Sequence, residues 1–217
     1  GADEDVFYAY GISVDLISDV SSSGLIRVAS KKLIDDAGDL PQDKLAKKLD
    51  VRYMANGELW RMGDMFQLSV ELYDTKTKKV VWSDRWQEDW DNLPNIKGNL
   101  SDGILKALDT KPRIEDTMAT SNPKAYEFYL KGKYIFEKRK SKEDFEIAQG
   151  LIKKAIELDN NLINAKHLLA FSYFLNKNYD KAMEKYTDNM EQAINLGDKH
   201  GVAGAFAGLG LLSWNNG

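Results

Sequence analysis

The chain has 217 residues, 43% hydrophobic and 29% charged, enough to bury a core as one large domain or two small ones. Its 30 Lys and Arg and 34 Asp and Glu are interleaved and sum to a formal charge of -4, so no basic tract of the kind that tracks nucleic acid is present. The absence of cysteine excludes disulfides, thiolate nucleophiles and cysteine zinc sites, and two histidines, His167 and His200, leave little material for His-based or metal-assisted chemistry.

Residues Gly1 to Asp5 do not form a signal peptide, and no apolar run approaches the roughly 20 residues that cross a bilayer. Ile12, Leu16, Ile17 and Val20 recur at helical spacing and stop at Ser21-Ser-Ser-Gly24, which predicts a first helix packed by one face. Leu25, Ile26, Val28 and Ala29 read as a short buried strand. Leu45, Ala46 and Leu49 mark a second helix, its start signalled by Pro41 and Asp43. Two extended runs, Val51 to Trp60 and Met65 to Tyr73, flank Met62-Gly63-Asp64. In the second, Phe66, Leu68, Val70 and Leu72 alternate with Gln67, Ser69 and Glu71, the pattern of a strand with one buried face, here in a hairpin. After the polar turn Thr75 to Lys79, Val80, Val81, Trp82 and Trp86 supply a third strand, and Ile96, Leu100, Ile104, Leu105 and Leu108 a helix over the sheet. A short buried strand at Leu25 lacks the partner that a helical crossover normally supplies. The expectation is therefore a mixed sheet with flanking helices, whose first strand lies upstream of Gly1 and is missing here.

The character of the chain changes near Thr110 to Pro123, which holds two of the four prolines and few large apolar residues. Beyond it five amphipathic helices are predicted, over about 123–139, 142–158, 162–177, 179–197 and 200–214. Small residues recur where stacked helical hairpins need close approach: Ala148 and Ala155, then Ala182 and Ala193, each pair followed by an Asp or Asn turn. The organisation read is an α/β domain over 1–109, a linker over 110–122 and an all-α array of helical hairpins over 123–217.

The first half resembles the TolB amino-terminal-like domain at Phe7-Tyr-Ala-Tyr-Gly-Ile-Ser13 with Asp15-Leu-Ile17, at Leu45 to Met54, at Gly57-Glu-Leu59, at Gln67 to Asp74 and at Val81 to Arg85. The likeness runs in order from about residue 5 to 108. It implies the version of that domain found with tetratricopeptide repeats behind bacterial adenylate or guanylate cyclase domains, winged-helix regulators and some kinases. In that family a strand ending in Pro-Phe precedes the first helix, in agreement with the gap above. The second half is similar to tetratricopeptide repeats. Leu130 and Gly132 head the first, with Ala148, Ala155 and Asn160; Ala170, Tyr173, Tyr179, Ala182 and Tyr186 mark the second; Leu209-Gly210 and Trp214 begin a third. Both complete repeats depart from the 34-residue period, by about four residues around Lys138 to Asp144 and around Asp188 to Gln192.

Aligning Ala170 with the small central position of a repeat puts Asn164, His167, Phe171 and Phe174 on the concave face, and aligning Gly132 likewise adds Tyr126, Tyr129, Lys133 and Phe136. Such an aromatic, weakly basic groove suits an extended peptide or a partner helix; the alternative is that these rings pack against a neighbouring helix or the first domain. Asp15 with Asp19, and Glu58 with Glu71, come without a nucleophile or His and read as solvated faces rather than acid and base pairs. Trp82, Trp86 and Trp90 step by four and offer either an indole platform for sugars or peptides or cover for the sheet edge and domain joint. His200 reads as structural or surface. Gly57 and Gly63 are isolated, and no phosphate loop is present.

These residues point to a regulatory module without catalysis or cofactor: a repeat groove holding a protein or peptide partner, joined to an α/β domain and an output domain elsewhere. The second reading is a small-molecule or glycan sensor in the α/β half, with the repeats as spacer or dimerising arm. An array ending in a third repeat is expected to expose Ala205, Phe206, Leu209 and Leu212, so a homodimer could form through open ends. The resemblance implies a bacterial parent whose membrane span often precedes the α/β domain, with the side of the membrane open.

Overall fold

The computed structural model describes residues 2–22, 24, 26–110, 120 and 122–216. The chain divides into two compact units, 1–116 and 117–217.

In the first unit, helix α1 (Ala2–Ser22) carries an apolar row every fourth residue, Tyr8, Ile12, Leu16 and Val20, and spends it on the rest of the unit. Helix α2 (Lys31–Ala37) follows a Ser30 cap whose hydroxyl accepts from the Leu33 amide at 3.3 Å. It is absent from the sequence reading because Leu33 is exposed and Ile34 only half-buried, which leaves no apolar stripe to detect. Helix α3 (Gln42–Leu49) starts after Pro41 and ends at Asp50 in the left-handed region. Asp50 also receives Arg27, whose Nη2 donates to its carbonyl at 2.7 Å and to its carboxylate at 3.1 Å.

Three strands follow, β1 (Tyr53–Met62), β2 (Met65–Asp74) and β3 (Lys79–Asp89), in the antiparallel order β1-β2-β3. Met62 pairs with Met65 across the two-residue turn Gly63-Asp64, where φ of 63° at Gly63 is a conformation glycine adopts without Cβ strain. The other turn is tied by Asp74. Its carboxylate accepts from Arg52 at 2.8 and 3.2 Å and from the amides of Lys76 and Thr77 at 2.9 and 3.4 Å. Arg52 thereby holds the Asp74 carboxyl well below the usual carboxylate range. Phe66, Leu68, Val70 and Leu72 of the central strand are buried as the alternation predicts.

A short 3₁₀ turn (Trp90–Asn92) leads into α4 (Leu93–Ala107), and α1 and α4 pack on β1 and β3 respectively. Gly103 of α4 lets Trp82 approach: a Cβ there would lie 2.5 Å from the indole Cζ2. The unit combines helices with a sheet as expected, and the described strands of that sheet are all antiparallel. Of the expected short strand, Leu25 lies outside the described residues, and Ile26 to Ala29 join no ladder. An extended segment becomes a strand only where a neighbour takes its backbone hydrogen bonds, and none of the described residues does so here.

The second unit is α5 (Pro123–Lys138), α6 (Lys142–Leu158), α7 (Ile163–Leu175), α8 (Tyr179–Leu196) and α9 (Lys199–Asn216), each within two or three residues of its expected span. The short connections make successive helices antiparallel neighbours; α5 packs on α6, α7 on α8, and α9 on both α8 and α7. Local chemistry sets the ends. Asn122 caps α5 ahead of Pro123, Ser141 and Asp144 form a capping box on α6, Asn178 caps α8, and Gly197 stops it at φ of 71°. Most of the expected linker 110–122 lies outside the described residues. Its last part is tied to the end of α6: the Thr120 hydroxyl donates to the Asp159 carboxylate, and Asn122 Nδ2 donates to the Leu158 carbonyl at 3.0 Å.

Small residues lie at the crossings, with Ala148, Ala155, Ala170, Ala182, Ala193 and Ala205 fully buried. Ala205 and Leu212 join Ala170, Ala182 and Tyr186 in one core, which corrects their expected exposure. Only the outer side of α9 is open, with Phe206 70% and Trp214 86% exposed, while Leu209 packs partly against that core.

Candidate functional site

The eight residues expected to line a groove separate into three groups. Phe136, Phe171 and Phe174 come together. Phe136 of α5 is buried, 5.8 Å from Phe145 of α6 and 6.1 Å from Phe171 of α7; Phe171 stacks on Phe174 at 6.1 Å and 15°, and Phe174 meets Tyr179 of α8 at 5.8 Å. This is a continuous line of five rings across four helices. Phe145, Phe171, Phe174 and Tyr179 remain half-buried, and Phe171, Phe174 and Tyr179 also pack against the core of Ala170, Ala182, Tyr186, Ala205 and Leu212. Arg139 lies over one end, 4.3 Å from the Phe136 ring centre and 6.0 Å from that of Phe145.

Tyr126, Tyr129 and Lys133 form the second group. Both tyrosines are buried, and Lys133 donates to the Tyr129 hydroxyl at 3.2 Å. Most of this group therefore lies in the packed interior. Asn164 and His167 form the third: Asn164 is exposed, and the His167 ring lies 5.4 Å from the ring of Tyr186. Burial lowers the His167 pKa below its usual value. Phe145 and Arg139 were missed by the sequence reading, which has Tyr179 as a repeat marker and not as part of the groove. Phe145 and Tyr179 begin their helices next to capping residues, and no spacing rule connects them to rings on other helices.

The tryptophans do not form one platform. Trp82 and Trp86 point to the same side of β3, 6.5 Å apart, with Trp82 against Gly103. Trp90 leaves the strand and turns into the core at 6% exposure, with Tyr8 4.6 Å away edge-on and the Arg61 guanidinium 4.1 Å over its ring. A period of four spans both cases because a strand keeps i and i+4 on one face, whereas the 3₁₀ turn after Asp89 redirects the last ring.

Asp15 and Asp19 require a correction. They are not a solvated face: Asp15 is 2% exposed and Lys97 of α4 8%. Lys97 Nζ lies 3.2 Å from Asp19 and 3.7 Å from Asp15, and the Ser101 hydroxyl donates to Asp19 at 3.3 Å. Burial raises the Asp19 pKa; Lys97 opposes that rise and Asp15 adds to it. A folded state that binds the Asp19 proton more tightly than the unfolded chain gains stability on acidification. The contribution grows as pH falls from neutral through the raised value towards the unfolded value of about 3.9, and is lost again as pH rises. In urea titrations between pH 4 and 7, Asp19→Asn is expected to remove this slope. Equal pH dependence in the two proteins would assign the slope to other groups.

Comparison with known proteins adds one relative. The chain is 23% identical over 206 residues to a protein of Rhizobium meliloti (strain 1021) named "Putative adenylate cyclase 3", covering 90% of this chain and 34% of that protein. It thus spans about a third of the relative's length. No model of a known protein family matches the chain. Among the described residues, no helix is long and apolar enough to cross a membrane.

Proposed function

We propose that this chain is a non-catalytic, protein-binding regulatory part of a larger bacterial signalling protein, and that the second unit takes a partner peptide or helix on its aromatic line. The carrying observation is the run Phe145, Phe136, Phe171, Phe174 and Tyr179, with Arg139 at one end. Half-buried rings on rigid helices give apolar anchors at small entropic cost, and a guanidinium fixes a backbone carbonyl or carboxylate. Tetratricopeptide-type hairpins and a TolB-like first unit are part of the proposal, supported by the order of elements and by small residues at the crossings. The relative's name supports a place beside a cyclase in the whole protein. The glycan-sensor reading has less behind it, because the faces of Trp90 are taken by Tyr8 and Arg61.

The test is capture of partners from parent-cell lysate by the wild type and by Phe171→Ala/Phe174→Ala, followed by titration of the captured protein. With helicity retained, affinity is expected to fall by at least about thirtyfold, the loss of one anchor contributing about 2 kcal/mol, and by more where the two act independently. Unchanged affinity in the folded double variant rejects the aromatic line as the binding face.

A further inference from the structure

The sheet has two faces, and the packing of α1 and α4 accounts for one of them. Arg61 donates to the Tyr8 hydroxyl of α1, and Gly103 of α4 lies against Trp82. Arg61 stands opposite Phe66 and Trp82 opposite Leu72, so both contacts are made on the buried face. The other face leaves Trp60 61% and Met62 56% exposed. Met62 pairs with Met65 and Trp60 with Gln67, which puts Trp60, Met62 and Met65 side by side at the Gly63 end of the hairpin. Single exposed apolar side chains are ordinary, whereas contiguous ones mark an interaction surface.

Composition and charge say what covers this face. Of the chain's 30 Lys and Arg, Arg85 alone stands on it, among the described even positions 54–62 and odd positions 65–73 and 83–89. Lysine protects sheets that stay in water and is depleted from interfaces, where Trp, Met and Arg are enriched. The patch is flanked by exposed carboxylates, Glu58 two residues before Trp60 on β1 and Asp89 opposite Met65 on β3. Beyond Met65 opens a cleft of about 450 Å³ lined by Met65, Glu88, Asp89, Asp91 and Asn92. A second copy would set these carboxylates against one another, while a cationic partner is drawn to them. Gln67 and Gln87 share the rung of Trp60, and each amide offers a donor and an acceptor to a peptide backbone. We propose that this face docks a cationic peptide segment of a protein partner. An apolar side chain of the segment rests on Trp60 and Met62, and its Lys or Arg side chains lie towards Glu58, Asp89 and the cleft. The surface belongs to the first unit and is independent of the aromatic line in the second.

Selection of a random peptide library displayed on phage against the full chain is the test. Enriched peptides are expected to carry net positive charge together with an aromatic or aliphatic residue. A synthetic copy of the enriched sequence is then titrated by fluorescence anisotropy. Trp60→Ala is expected to weaken it at least about thirtyfold, the loss of a central aromatic anchor. Asp89→Asn is expected to weaken it about threefold and to reduce its dependence on salt, and Phe171→Ala/Phe174→Ala to leave it unchanged. Should Trp60→Ala fail to fold, Met62→Ala at the neighbouring exposed position is expected to weaken binding about fivefold. Light scattering of the free chain over a concentration series completes the test. No enriched sequence, an enriched sequence without positive charge, or unchanged affinity in whichever of the Trp60 and Met62 variants folds overturns the proposal. A dimer of the free chain that is lost in the same variant also overturns it and assigns the face to a second copy.

Discussion

Lys97→Ala is expected to destabilise the first unit by about 3–5 kcal/mol, the cost of removing one partner from a buried charge cluster. Lys97 stands against two carboxylates, and Asp15 is too buried for water to replace the lost ammonium. Taking the charges away together has a different outcome, because their desolvation cost is removed along with their attraction. Asp15→Asn/Asp19→Asn/Lys97→Met is expected to recover most of the loss, as replacement of a whole buried ion cluster is often neutral or stabilising by about 1–4 kcal/mol. Urea unfolding followed by circular dichroism and by tryptophan fluorescence measures both. A loss under about 1 kcal/mol in Lys97→Ala would show that the cluster is solvated and worth no more than a surface pair.

The second large effect is expected in α9, where two glycines two residues apart respond with opposite signs. A Cβ on Gly208 would lie 2.3 Å from two carbons of the Tyr186 ring, which is itself buried, so ring and helix must separate. Overpacking of this kind costs about 1–3 kcal/mol, occasionally more. Against it stands the better helix propensity of alanine, about 1 kcal/mol. The steric term wins, and Gly208→Ala is expected to destabilise the second unit. Gly210 has nothing within 4 Å of the same built atom and is exposed, so only propensity acts there and Gly210→Ala is expected to stabilise by up to about 1 kcal/mol. Thermal unfolding of the pair is the check; the same sign for both would mean that α9 does not pack on Tyr186 in this way.

The contrast shows what a pattern reading sees. Gly208 and Gly210 are equivalent as letters in an apolar helix, and the difference between them lies in Tyr186, which belongs to another helix. The same holds for the charged seam. Asp15 and Asp19 on an amphipathic helix read as its wet side, and only the approach of Lys97, some eighty positions later, makes them interior. For the aromatic line, Phe171 and Phe174 were legible at helical spacing, while Phe145 and Tyr179 entered through packing between helices. Tyr126, Tyr129 and Phe136 were legible as apolar positions, but nothing local tells a buried ring from a groove-lining one.

Periodicity, caps and turn residues were sufficient by themselves for the elements that depend on local chemistry. They specified the three-strand meander with its alternating central strand, the five helices from Pro123 onwards, and the turn at Gly63. Each of these follows from side-chain spacing or a dihedral preference acting over a few residues. The tertiary structure alone decided the fate of Ile26 to Ala29, whose strand state requires a neighbour's hydrogen bonds, and of Trp90, which the turn after β3 carries into the core. It also decided which polar residues are interior, because burial and ion pairing belong to the space between elements and are not properties of any one of them.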